Sequence, residues 1–181
     1  MSDPRPSLRA LPALAGRTAL ASSRVRLSPL PEGTVLHVLA GPATADAADA
    51  VAKLAAETEL SPRAIAPGQW LLVGDRPTAH SDMRRLLDGL EPLASGVDQS
   101  HGRVRLSLAG PRAADVLSKG TAVDLHPSAF PVGRTAPTLI GHVSAHITRL
   151  DAEAFEIVVL RGFAEALWDD LALMCAEYLQ P

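Results

Sequence analysis

Four groups of side chains have residue types that could do chemistry. His142 and His146 form an HxxxH pair, which on a helix places two imidazoles on one face to share a metal. Val143, Ala145 and Ile147 alternate with them, so the segment is predicted as a strand. Residues four apart on a strand lie about 13 Å from each other, too far for one ion. His142, Ser144 and Thr148 then read as an exposed polar face. Cys175 is the lone cysteine. A nucleophilic thiolate needs a base and an electropositive, accessible setting. Cys175 instead falls on the apolar side of a helix near its C-terminal end, where the dipole disfavours a thiolate, and reads as core. Asp98, Ser100 and His101 have the types of a triad. They sit in one local segment, whereas a triad converges from different places around an exposed nucleophile, so they read as turn and cap residues. Asp124, His126 and Arg134 flank a proline-rich loop. They can hold that loop together, as Asp does in its own turns, or meet a partner.

Motifs for common cofactors are missing from the sequence. There is no GxGxxG after a strand, no GxxxxGK[ST] and no CxxC or Cys/His cluster. FAD, FMN, NAD and zinc are therefore not expected on this chain. A net charge of −3 argues against nucleic acid held by bulk electrostatics, and 3% aromatic residues leave little for base stacking. No apolar run reaches the ~18 residues of a membrane span. The N-terminus lacks a continuous apolar run of the kind a secretory signal carries, and one unpaired cysteine suits a reducing cytoplasm.

The elements that would position these groups follow from pattern. Residues 1–31 stand apart, with Arg5, Arg9, Arg17, Arg24 and Arg26 against Asp3 and with several prolines. They are expected as a basic N-terminal arm, either frayed or ordered on an acidic partner. Its deletion is then expected to weaken assembly and leave residues 32–181 folded as one α+β domain, with subdomains 32–98 and 99–181. Thr34 to Leu39 is predicted as a strand and Ala43 to Thr58 as an amphipathic helix. Leu60 to Pro67 reads as a connection broken by two prolines. Gln69 to Val73 is a buried strand, Thr78 to Leu90 a helix, and a short extended segment begins near Val97. Val104, Leu106 and Leu108 alternate with Arg103, Arg105 and Ser107, predicting a strand with one buried face. Gly110 is expected as the N-cap of a helix over Arg112 to Lys119, with Pro111 at its first position and Gly120 as a left-handed stop. Strands are expected from Thr138, with a break at Gly141, and over Ala154 to Leu160. A last helix puts Phe163, Leu167, Trp168, Leu171, Met174, Cys175 and Tyr178 on one apolar face. Trp168 and Tyr178 are core residues or partner anchors. Helices on one face of a mixed sheet are expected, as two ferredoxin-like β/α half-units.

The run "GPRAADVLSKG", "DLHPSAFPVG", "TLIGHV" and "AFEIVVLRGFAEALWDDLALMCAEY" closely resembles the gamma subunits of heterotetrameric sarcosine oxidases. "APGQWLLVG" and "VDQSHGRVRLSLAGP" extend the resemblance, which covers roughly residues 60–178. These subunits are similar to the folate-binding, aminomethyltransferase-like proteins of the glycine cleavage system, and the resemblance implies that fold. It further implies an accessory chain that binds alpha, beta and delta subunits. FAD, FMN, NAD and zinc would be held by those subunits, and tetrahydrofolate would take up the one-carbon unit. The complex would demethylate sarcosine oxidatively to glycine, with hydrogen peroxide as product. The expected partner contacts are the five arginines of the arm, Asp124, His126 and Arg134 of the loop, and Trp168 and Tyr178. Two alternatives stand beside this. One is a stand-alone folate-binding or aminomethyltransferase-like protein, with Asp98 as the candidate acid. The other is a gamma-like subunit of an oxidase for another N-methyl amino acid.

Overall fold

The N-terminal segment enters the fold as part of a sheet. In a computed structural model describing residues 11–41 and 44–180, β1 (Leu20–Ala21) pairs with β2 (Arg26–Pro29). Further along the chain, Leu27 and Ser28 pair with Leu108 and Ser107. Leu14, Val25 and Leu27 are buried. The described part of the expected arm is therefore not detached. Its basic composition masked three apolar side chains that bury like any core residues. Arg5 and Arg9 lie outside the described residues.

The next six elements are β3 (Thr34–Ala40), α1 (Thr44–Glu57), β4 (Ser61–Ala66), β5 (Gln69–Gly74), α2 (His80–Asp88) and β6 (Ala94–Asp98). They form a four-stranded sheet in the order β4-β5-β3-β6 with every pair antiparallel. This is the βαββαβ arrangement of a ferredoxin-like unit. β4 was expected as a connection. Pro62 is tolerated because β4 is an edge strand, where a missing backbone donor costs no ladder bond. Ala47, Val51 and Leu54 of α1 and Met83, Leu86 and Leu87 of α2 share one core with Leu36, Val38 and Leu72 of the sheet, at the spacing of an amphipathic stripe.

The second half runs β7 (Arg103–Ala109), α3 (Ala113–Ser118), β8 (Thr135–Ile140), β9 (Val143–Asp151), β10 (Ala154–Leu160), a 3-10 turn at Arg161–Phe163 and α4 (Ala164–Leu179). With the N-terminal strands it forms a six-stranded sheet ordered β1-β2-β7-β10-β9-β8. All its pairs are antiparallel, so the described residues form two antiparallel sheets, not the mixed sheet expected.

Gly110 is not a helix cap. It has φ +113°, and a Cβ there would lie 2.6 Å from the Arg24 carbonyl oxygen, which also accepts the Arg112 N–H at 3.0 Å. Gly thus permits the N-terminal segment to approach. Gly120 is not left-handed either. It is small because the Met174 side chain packs 2.6 Å from where a Cβ would stand.

Buried residues of β2, β7, β9 and β10 pack with α3 and α4 in one core: Leu27, Leu106, Leu108, Ile147, Phe155, Ile157, Val116, Leu117, Leu167, Leu171 and Cys175 among them. The opposite sheet faces meet in a third cluster, with Val35, Ile65, Leu71 and Val73 against Val158. The layers therefore run helices, small sheet, large sheet, helices. Phe163 does not join the α4 face and is 53% exposed, since Ala164 takes the buried position instead.

Candidate functional site

Two sheets packed face to face place alternate residues of β7, β9 and β10 between them, and several of these are polar. Glu156 of β10 is fully buried. Its Oε2 accepts from Arg63 Nε of β4 at 2.6 Å and its Oε1 from Arg105 Nε of β7 at 2.8 Å. Arg105 Nη1 also donates to the Gly74 carbonyl at 3.1 Å and to Asp75 Oδ1 at 2.8 Å. Beside this cluster lies a pocket of about 370 Å³ lined by Arg63, Arg76, Arg105, Asp75 and Glu59. The carboxylates there offset the guanidiniums, so the cluster works as a clamp between sheets, with hydrogen bonds satisfying the buried charges.

Farther along the same layer the charge balance changes. His37 of β3, Arg103 of β7 and His146 of β9 face into it. His37 Nε2 is 3.3 Å from Gln69 Oε1, and Arg103 Nε donates to Gln99 Oε1 at 2.8 Å. His146 Nδ1 is buried with no partner among the described residues. Burial pushes the His146 imidazole down from 6.5 to about 4, and the charges of Arg103 and His37 add to the effect. Burial also lowers Arg103 below the usual guanidinium range.

A third assembly orders the proline-rich loop. Arg149 of β9 is buried and donates to the carbonyls of Phe130, Leu125 and Ala152, with its guanidinium 4.5 Å from the centre of the Phe155 ring. Between α1 and α2 lies an open groove of about 1040 Å³ with Leu54, Leu60, Leu86 and Leu93 among its lining residues. Asp46, Asp49 and Glu57 of α1 line it together with Lys53 and Arg85.

The expected chemical groups separate. His142 is exposed in the two-residue turn between β8 and β9, while His146 points between the sheets. No group of three or more His, Cys, Asp or Glu among the described residues could hold a metal. Thr148 is buried, because the small sheet covers the face expected to be exposed. Asp98 Oδ1 accepts from the Ser100 N–H at 2.9 Å and its Oγ at 2.6 Å, and Ser100 Oγ accepts from the Val35 N–H. That is a turn tied to a strand end, with His101 exposed beside it. Cys175 is buried, and burial raises its thiol to about 11.

The expected partner contacts fare unevenly. Arg17 pairs with Asp169 of α4 at 2.9 Å, and Arg24 donates to the Gln180 carbonyl at 2.6 Å. Both are engaged in holding the N-terminal segment to α4. Arg26 is exposed and reaches Ser28 of its own strand. Asp124 accepts from the His126 N–H at 2.9 Å, His126 Nδ1 is 2.7 Å from Ser128 Oγ, and Arg134 lies 6.0 Å from the Phe130 ring centre. All three are exposed and bonded locally. Trp168 is 3% exposed within the large core, so it is not available as a surface anchor. Tyr178 is half-buried, with Lys119 Nζ 4.7 Å from its ring centre. The Arg63–Glu156–Arg105 cluster and Arg149 were not foreseen. A glutamate inside the apolar run of β10 was the available signal.

Comparison with known proteins places this architecture. The sequence profile of the "Sarcosine oxidase, gamma subunit family" matches residues 43–177. The "Sarcosine oxidase subunit gamma" of Corynebacterium sp. (strain U-96) is 32% identical over 101 residues, 56% of this chain and 49% of that one. The match thus spans about half the length of that relative. A chain of the heterotetrameric sarcosine oxidase from Corynebacterium sp. U-96, solved with pyrrole 2-carboxylate, superposes with a TM-score of 0.77 at 23% identity. That alignment covers 95% of this chain and 97% of the other. Glycine cleavage system aminomethyltransferase T from Bartonella henselae gives a TM-score of 0.55 at 19% identity, over 81% of this chain and 45% of the other. These likenesses show the α+β fold of two half-units shared with aminomethyltransferase T, and no described helix is long and apolar enough to cross a membrane. With its profile matched over residues 43–177, the chain belongs to the sarcosine oxidase gamma subunit family.

Proposed function

We propose that this chain is an accessory, non-catalytic subunit of a cytoplasmic heterotetrameric sarcosine oxidase, acting through assembly with alpha, beta and delta subunits. The family match over residues 43–177 carries this reading. The interior chemistry is consistent with it. Arg63, Arg105 and Glu156 join the two sheets, and Arg149 ties down a loop. Those groups stabilise a shape and are spent on contacts within the chain. In this reading FAD, FMN, NAD and zinc reside on the other subunits. Sarcosine is demethylated there to glycine with release of hydrogen peroxide, and the one-carbon unit passes to tetrahydrofolate. This chain contributes buried contact area, on the order of 2,000 Å² in total for an obligate interface.

The test is reconstitution. Sarcosine-dependent peroxide production is measured for the alpha, beta and delta subunits with and without this chain, and for this chain alone. The expected result is an inert isolated chain, with higher yield and stability of the active complex when the chain is present. Tight tetrahydrofolate binding or aminomethyl transfer by the isolated chain would contradict the proposal and favour a stand-alone folate-binding protein.

A further inference from the structure

The layer between the sheets is closed at one end and open at the other. At the closed end the Glu156 cluster and the apolar contacts of Val158 with Val35, Ile65, Leu71 and Val73 seal it. Beyond Val158 the alternation continues but the burial does not. Leu160 of β10, opposite Arg103, is 44% exposed. On the small sheet Val97 of β6, opposite His37, is 53% exposed, and Leu39 of β3 is 38% exposed. Strand parity puts these three on the faces that meet farther down, so the sheets splay apart here.

Three cation-capable groups lie at the base of that opening. Arg103, His37 and His146 come from three strands of both sheets. Gln99 bridges the sheets beside them, its side chain accepting from Arg103 and its N–H donating to the Val35 carbonyl at 2.8 Å. Among the described residues none of the three has a carboxylate partner. This contrasts with the closed end, where Glu156 answers Arg63 and Arg105. A half-buried guanidinium gains most from a charge-assisted bond to a carboxylate, and a surrounding apolar rim excludes water from it.

We infer that this open end of the inter-sheet layer receives a segment of a larger partner subunit that inserts a carboxylate against Arg103 between apolar side chains resting on Leu39, Val97 and Leu160. The inference rests on the proposed role as an assembly subunit. A protein segment fits better than a small acid, because the apolar residues form exposed sheet faces on both sides of the charged base. Charge complementarity selects an acidic segment and excludes a basic one.

The test uses the full-length chain co-expressed with tagged alpha, beta and delta subunits. Arg103→Glu and Val97→Asp should each lower the amount of this chain recovered with the complex by at least tenfold. Arg103→Lys should keep most of it. Val97 is exposed, so Val97→Asp should leave the melting temperature of the isolated chain unchanged, which preserves the test should Arg103→Glu fail to fold. Stoichiometric recovery of folded Val97→Asp would overturn the inference while leaving the assembly role intact. Failure of the wild-type chain to assemble would overturn both. If glutarate stabilises the isolated wild-type chain and the variants still assemble, the site takes a small carboxylate, and a partner segment is ruled out.

Discussion

Arg63 Nε on an edge strand of the small sheet lies 2.6 Å from Glu156 Oε2 in the middle of the large one. With Arg105 on the other oxygen, this carboxylate ties the two half-units across their common interface. Glu156→Ala should destabilise the chain by about 3–5 kcal/mol, because it strands two guanidiniums without their shared partner. Urea unfolding at neutral pH measures this. A loss below about 1 kcal/mol would mean the pair contributes no more than a surface contact.

Arg149 orders the loop at 121–134 from beneath, through the carbonyls of Leu125 and Phe130. Arg149→Ala removes three donor contacts and leaves buried carbonyls unpaired, at a cost of about 3 kcal/mol. Hydrogen exchange in 121–134 should rise well above that of β3 to β6. Uniform exchange throughout would show that the loop holds itself.

Neither feature was readable from sequence, because what covers each strand face is set by the fold. Arg105 alternates with apolar residues, and alternation normally marks a solvated strand face. Here a second sheet covers that face, whereas Arg149 shares the face of Val143, Ala145 and Ile147 and is covered by the loop whose carbonyls it binds; only the fold reveals either. The six elements from β3 to β6 were largely legible because helical and strand periods there agree with their surroundings. β4 was missed because Pro62 reads as a breaker, while an edge position accommodates it. The N-terminal strands were missed because five arginines outweighed Leu14, Val25 and Leu27 in a reading by composition. Trp168 and Cys175 were correctly placed on the α4 face, but Phe163 was not, since the 3-10 turn rotates it outward.

Truncation tests whether the N-terminal strands belong to the fold. Removing residues 1–31 deletes β1, β2 and the buried Leu14, Val25 and Leu27. Each large buried side chain lost costs roughly 2–5 kcal/mol, enough together to unfold a typical domain. Circular dichroism of the 32–181 fragment decides it. A folded 32–181 fragment would restore the detached-arm expectation.

His146 gives the fold a pH dependence. Its pKa falls from 6.5 to about 4 on folding, chiefly through burial, with Arg103 and His37 adding repulsion. Between those values the unfolded chain takes up a proton that the folded chain refuses. The stability tied to the neutral imidazole is therefore full above about pH 6.5 and is lost as pH falls toward 4. In His146→Gln this contribution is absent. The stability of wild type relative to the variant should thus shrink between about pH 7.5 and about pH 5. A constant difference in urea midpoints over that range would assign the pH response elsewhere.

The assembly role is tested most directly by stoichiometry. The tagged chain is co-expressed with the alpha, beta and delta subunits from the same organism, purified through its tag and weighed by native mass spectrometry. The proposed role requires one complex containing all four chains, coloured by flavin and consuming sarcosine. A tagged chain that purifies alone, while the other three assemble and turn over sarcosine equally well without it, would contradict that role.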